Sequence, residues 1–236
     1  GIAVSRYNER ELQRAGYRAT AVAPVLVDLE GLRAASDEAV EDALRAAKAD
    51  GGSDWLFVGR LSPNKAQHDL IKALAAYRRV YDDRARLHLV GSSSSEAYTS
   101  ALRDYADALG LADAVFLHRG VPAATLAAHY RSADVFVCVS EHEGFCVPLL
   151  EAMHHRLPIV ALAAAAVPET LGDAGLLLPG KAPGLVAAAV HRVVSDATVR
   201  TGLVENGQAR LGHFTLERSR AAFRDALLPL LEGAGQ

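Results

Sequence analysis

Three carboxylates crowd one short stretch of the chain, "EHEGFCVPLLEAMHH" over residues 141–155. Glu141, Glu143 and Glu151 lie around Pro148, a residue suited to the first turn of a helix. A helix start attracts anions through its unpaired N–H groups and its dipole. A carboxylate only accepts hydrogen bonds, so a phosphate at that spot repels it, whereas the vicinal hydroxyls of a ribose or hexose supply it with donors. Upstream, "VGRLSPNK" over 58–65 places Arg60 and Lys65 in one loop after an apolar run. Arginine offers a planar fork to phosphate oxygens and lysine a mobile point charge. Acids for hydroxyls and bases for phosphates together describe a site for a nucleotide-sugar, which carries ribose, diphosphate and hexose in one molecule. Plainer readings stand beside this one. Arg60 and Lys65 could be solvated on a surface turn, Glu151 could be a first-turn acid serving the helix dipole, and Glu141 could be a solvated loop residue.

These groups meet only if the elements between them bring their loops to one edge. From Trp55 onward, short apolar runs alternate with helical patterns: "WLFV", a helix over 66–82, "LHLV", a helix over 96–109, "AVFL", a short helix over 123–131, "VFVCV", a helix from Val147, "IVAL" and "GLLL". Apolar strands without polar alternation, separated by helices, predict an α/β fold: a Rossmann-like parallel sheet covered by helices on both faces. Helices over about 183–195, 197–211 and 215–232 complete the chain. Ligands of such sheets bind beyond the carboxyl ends of the strands, so the loops to inspect are "GRLSPNK", "GSSSS", "HRG", "SEHEGF" and "AAAAVPE". Neither G-x-G-x-x-G nor G-x-x-x-x-G-K-[ST] occurs.

Ahead of this region, residues 2–5 and 19–27 read as strands around a helix over 8–15, a β-α-β remnant, and an alanine-rich helix over 37–49 reads as a connector. The expected organisation is 1–28 as the end of an amino-terminal domain, 29–52 as connector, 53–214 as the ligand-binding domain and 215–236 as a helix leaning toward the missing domain. The chain opens without Met, as a piece of a longer protein would.

Half of the 236 residues are hydrophobic and the net charge is -3. No basic stripe suggests nucleic acid or anionic lipid as a partner. The longest apolar run, Ile159–Val167, is nine residues, far short of the roughly 20 that span a bilayer. Two cysteines, Cys138 and Cys146, make no disulfide framework or CxxC cluster, which fits a reducing cytoplasm, with an association at the inner membrane surface left to the missing domain.

The pairing of "VGRLSPNK" with "SEHEGFCVPLLEAM" resembles the retaining glycosyltransferases of family 4 (group 1), whose architecture is GT-B and whose signature is two glutamates separated by seven residues; Glu143 and Glu151 match it. The resemblance covers about 55–232 as the carboxyl-terminal, donor-binding domain. It implies that Arg60 and Lys65 hold the donor diphosphate, Glu151 binds the ribose hydroxyls and Glu143 faces the transferred sugar. Backbone groups of Gly144, Phe145, Cys146 and Val147 would meet sugar and phosphate. Arg119, Gly120 and Val121 would lie near the nucleobase, with Gly59 and Gly91 at the strand exits flanking the site. The implied reaction moves a hexose from a nucleotide-diphosphate-sugar to an unknown glycan or lipid-linked acceptor with retention of configuration, through front-face departure, and needs no metal or other cofactor. The residues agree, offering no His/Asp cluster at ligand spacing; His154 and His155, being adjacent, point to different helix faces.

The chain departs from the family pattern in having Cys146 and Arg156 where glycine is usual, and Ala165 or Ala166 where the backbone would approach the donor. Glu169 is a further donor contact or a helix-start acid after Pro168. Rival readings are a GT-B phosphorylase or epimerase, or a nucleotide-sugar-binding scaffold without catalysis. The fragment alone is expected to transfer nothing.

Overall fold

The structure, a computed structural model, describes residues 1–49, 51–93 and 95–232, with the side chains of Arg33 and 230–232 left out of the description. The chain starts with β1 (Ile2–Ala3), α1 (Arg6–Arg14) and β2 (Ala21–Val22), the two strands pairing in parallel. Both strands are shorter than their apolar runs, and the helix starts two residues earlier than its periodicity suggests, because the Ser5 side chain accepts the Asn8 N–H and caps it. Next come α2 (Leu29–Ala34), which the sequence did not reveal, and α3 (Glu38–Ala47). Both begin at an aspartate, Asp28 and Asp37, whose carboxylate accepts from the helix's first turn.

The body alternates strand and helix: β3 (Asp54–Val58), a 3-10 turn (Pro63–Lys65), α4 (Gln67–Val80), β4 (Arg86–Val90), α5 (Glu96–Ala108), β5 (Val115–His118), α6 (Ala123–Ser132), β6 (Val135–Cys138), α7 (Val147–His154), β7 (Ile159–Leu162), α8 (Val167–Leu171) and β8 (Leu176–Leu178). The six strands β3–β8 form one parallel sheet in the order β5-β4-β3-β6-β7-β8. Trp55, Leu56, Phe57, Val135, Phe136 and Ile159 are fully buried, as strands covered on both faces require. The helices α9 (Pro183–Ser195), α10 (Ala197–Leu211) and α11 (Leu216–Glu232) follow. The last packs beside β2, burying Ala226 while leaving Phe223 and Leu228 exposed; Leu231, part of its expected apolar stripe, and residues 233–236 lie outside the described side chains.

The strand order reverses between β3 and β6. Successive strands β3, β4 and β5 step one way, and β6, β7 and β8 step the other. A crevice opens at such a reversal, beyond the carboxyl ends of the two central strands, and the loops leaving β3 and β6 are those that carry "GRLSPNK" and "SEHEGF".

Candidate active site

The two loops meet. The Glu141 N–H donates to the Asn64 carbonyl at 2.9 Å, and Lys65, at the end of the 3-10 turn, reaches across to place its Nζ 2.7 Å from Glu143 Oε1 and 3.4 Å from the His142 carbonyl. Both partners are largely enclosed, with side chains 18% and 12% exposed. Arg60 shares the β3 exit but is exposed, and its guanidinium has no ion pair or hydrogen bond among the described residues. Its carbonyl, by contrast, is fixed: Gln67 Nε2 donates to it at 2.9 Å, and Tyr98 Oη donates to Gln67 Oε1 at 3.0 Å. Gln67 and Tyr98 thus hold the loop that presents the bases. Their signal in the sequence was only a polar residue at the start of a helix.

The Glu143–Val147 loop is held by the neighbouring strand-end segment. Thr170 Oγ1 donates to the Phe145 carbonyl at 2.6 Å, and the Ala166 N–H donates to the Glu143 carbonyl at 3.1 Å. The Phe145 ring turns inward and meets Phe214 edge-on at 5.5 Å, and Cys146 is buried. What this loop offers the cleft is therefore backbone and Glu143. The amino end of α7 has no side-chain cap, consistent with an end kept open for an anion.

Glu151 is the fifth residue of α7, beyond the first turn where the sequence reading had put it. That position weakens the dipole reading, since the interaction falls off within the first turn. Its Oε2 accepts from Tyr130 Oη at 2.7 Å. Burial pushes its carboxyl pKa up, and the Tyr130 hydrogen bond opposes that only in part. A half-buried carboxylate with one fixed donor and further lone pairs can accept from hydroxyl groups.

The flanking residues divide. Glu141 is more than half exposed and pairs with Lys181, which also binds Asp69, a surface network in keeping with the plain reading. Arg119 is engaged by Glu96 at the start of α5, on the exit of edge strand β5; no contact joins it to Lys65 or Glu143 among the described residues. Val121 packs against the core, and Gly120 takes a left-handed φ of 63° in open space. Gly91 has a packing duty: a Cβ there would lie 2.0 Å from the Gly59 carbonyl oxygen, at a φ of 152°. Glu169 does not face the cleft's cations. Its two oxygens accept the Arg6 and Tyr7 N–H groups at 2.8 and 3.2 Å, closing the amino end of α1.

The helix α1 borders the same loop. His142 Nε2 lies 3.0 Å from Glu11 Oε1, the Tyr7 and His142 rings meet at 5.7 Å, and a Cβ on Gly144 would fall 2.7 Å from Asn8 Oδ1.

Non-glycine residues in the left-handed region cluster here as well. Ala66, Cys146 and Ala165 have φ of 54°, 68° and 51°, and they follow the two central strands β3 and β6 and their neighbour β7. Each left-handed non-glycine residue costs roughly 1–2 kcal/mol. Such strain concentrates at functional loops. The fourth, Arg156 with φ 58°, closes the far end of α7. Of the two alanines weighed for backbone approach to the donor, Ala165 takes the unusual conformation, and Ala166, at φ -85°, does not.

The fold also gathers ligand-type side chains that linear spacing concealed. Cys138, Glu143 and Cys146 bring donor atoms within 4.8 Å of one another, and the contact with Cys138, with burial, pushes the Cys146 thiol pKa well up. A second group, His88, His118 and His129, comes from three different elements.

With this geometry in place, the sequence over 41–210 matches the family described as Glycosyl transferases group 1. The chain belongs to this family. A D-inositol 3-phosphate glycosyltransferase of Kineococcus radiotolerans is 33% identical over 227 residues, covering 86% of this chain and 52% of that protein. A GDP-mannose-dependent alpha-(1-6)-phosphatidylinositol monomannoside mannosyltransferase of Mycolicibacterium smegmatis is 35% identical over 148 residues, 59% of this chain and 38% of that one. Among solved structures, HepE of Anabaena in complex with UDP-glucose superimposes with a TM-score of 0.84 at 22% identity, covering 97% of this chain and 63% of that one. The likeness supports the GT-B, Rossmann-like fold. The chain spans about half the length of the curated relatives it matches. No helix among the described residues is long and apolar enough to cross a membrane.

Proposed function

We propose that this chain is the donor-binding half of a glycosyltransferase that moves a hexose from a nucleoside-diphosphate-sugar with retention of configuration. One observation carries the reading: Lys65 and Glu143, one cation and one acid, meet at 2.7 Å in the crevice where the strand order reverses. A donor entering there brings its diphosphate to Lys65, Arg60 and the uncapped end of α7, and its hexose hydroxyls to Glu143. Lys65 then exchanges a carboxylate for phosphate oxygens and stabilises the charge on the departing diphosphate, an electrostatic contribution that is largest when the group is already in place. Glu143, released from Lys65, accepts from the hexose. Glu151, fixed by Tyr130, accepts from the ribose.

Support comes from the family match and from relatives named for sugar transfer, one of them GDP-mannose-dependent, and from a neighbour holding UDP-glucose. The acceptor, of the class of an inositol phosphate or a lipid-linked glycan, would meet the donor at residues upstream of this chain. The test is transfer by the full-length protein against its Glu143→Gln variant, together with thermal-shift screening of UDP, GDP, ADP and TDP, each with and without its sugar. Strong loss of turnover in the variant with retained nucleotide binding supports the assignment. Unchanged turnover removes Glu143 from the reaction, and binding without turnover by either protein points to a scaffold.

A further inference from the structure

Away from the β3 and β6 exits, three imidazoles converge on the sheet face beneath α3 and α6. His88 comes from the middle of β4, His118 from the end of β5 and His129 from α6, and a nitrogen of each lies within 4.8 Å of the others. Ring centroids are 5.4 Å apart for His88 and His118, 4.3 Å for His118 and His129, and 5.5 Å for His88 and His129. We propose that His88, His118 and His129 form a binding site for one divalent transition-metal ion of the zinc type, with Asp54 as the carboxylate that orients His88.

Three observations support this. His88 Nδ1 and His118 Nε2 are 3.2 Å apart, close to the roughly 3.3 Å that two nitrogens take at the corners of a tetrahedron with metal–nitrogen bonds of about 2.05 Å. The other nitrogen of His88, Nε2, is buried without a hydrogen-bond partner and lies 3.8 Å from Asp54 Oδ1, too far for a hydrogen bond but close enough that a small movement on metal binding would let Nε2–H donate to the carboxylate and leave Nδ1 to ligate. A cavity of about 440 Å³ opens on the cluster between α3 and the sheet, lined on its helix side by Val40, Ala43 and Leu44, leaving room for a water as fourth ligand. The nearby guanidinium does not oppose a cation: Arg86 pairs with Asp54 at 2.6 Å and donates to the Ala47 and Gly51 carbonyls at 2.9 and 3.1 Å. Imidazole sets of this kind suit zinc, copper, nickel and cobalt over magnesium or calcium. This site stands independently of the sugar-transfer reading.

The test uses the untagged chain, stripped with chelator and titrated with Zn²⁺ by calorimetry and with Co²⁺ by visible absorption. The expected result is one tight equivalent of Zn²⁺, a rise in melting temperature, and the intense visible bands of tetrahedral Co²⁺. His118→Asn and His129→Asn should each weaken Zn²⁺ binding by more than about tenfold, while exposed His213→Asn leaves it unchanged. Equal affinity in the wild type and in both ligand variants overturns the proposal. Should the variants not fold, imidazole NMR signals of the wild type decide: Zn²⁺ must shift the signals of His88, His118 and His129, and movement confined to exposed histidines such as His213 refutes the site.

Discussion

Lys65 Nζ sits 2.7 Å from Glu143 Oε1, joining the residue expected on the donor's phosphates to the residue expected on its sugar. Each neutralises the other in a mostly enclosed place; on the proposed reading a donor separates them, and the net affinity is what remains after that exchange.

Two substitutions at one loop should therefore behave differently. Arg60→Ala, at an exposed guanidinium, should leave the melting temperature within the scatter of a surface change, about 0.5 kcal/mol. Lys65→Ala leaves Glu143 without its cation in a largely enclosed position and should destabilise by about 1–3 kcal/mol. Both should weaken nucleoside-diphosphate binding by calorimetry, and the double variant should depart from additivity because the two groups serve one ligand. Undiminished affinity in the double variant would overturn the phosphate assignment.

Glu151 gives a pH-dependent outcome. Its folded pKa is raised above the ordinary 4.5 by burial, so the native state holds this proton more tightly than the unfolded chain does. The sign follows: the associated stability is full below pH 4.5 and is lost as pH rises through the raised native value. Glu151→Gln keeps an acceptor for Tyr130 and removes the charge. The variant should melt above the wild type at pH 8, with the gap closing toward pH 4, while nucleotide binding weakens. A gap that does not change with pH would refute it.

Backbone strain predicts a gain. Arg156 holds φ at 58° at the far end of α7, so Arg156→Gly should stabilise by about 1 kcal/mol, or roughly 2–4 °C for a chain of this size. Ala165→Gly should also raise the melting temperature, and because residue 165 borders the cleft, it should change donor affinity too, whereas Arg156→Gly should not. A lower melting temperature for Arg156→Gly would count against the strain argument.

Thr170→Val removes the donor to the Phe145 carbonyl at nearly constant shape. A buried acceptor left unpaired costs about 1–3 kcal/mol. The loop holding Glu143 should loosen, which amide exchange at 143–146 would register; unchanged protection there would show that Thr170 does not position the loop.

Much of this was legible in the residues. Apolar runs such as "WLFV" and "VFVCV", short and separated by helical patterns, read as strands buried on both faces, and they fall in β3 and β6. The meeting of "GRLSPNK" with "SEHEGF" followed from the rule that parallel strands present their ligands at one end. The start of α7 at Val147 was legible from Pro148, which suits a first turn; counted from that start, Glu151 is the fifth residue, one place past the first turn. The left-handed turn at Cys146 has no signature in a residue type that avoids that conformation. The partners of Glu169 were hidden for another reason: Arg6 and Tyr7 contribute backbone N–H groups, which every sequence has. The outermost of the three histidines, 88 and 129, are 41 residues apart in the chain, and only strand adjacency and one helix crossing unite them.

The contact between Gly91 and the Gly59 carbonyl carries a consequence for variation. A randomised library at 91 should return glycine almost alone, since any larger residue displaces the backbone on which Arg60 rides. At 120, where a left-handed φ of 63° meets empty space, asparagine and aspartate should survive alongside glycine.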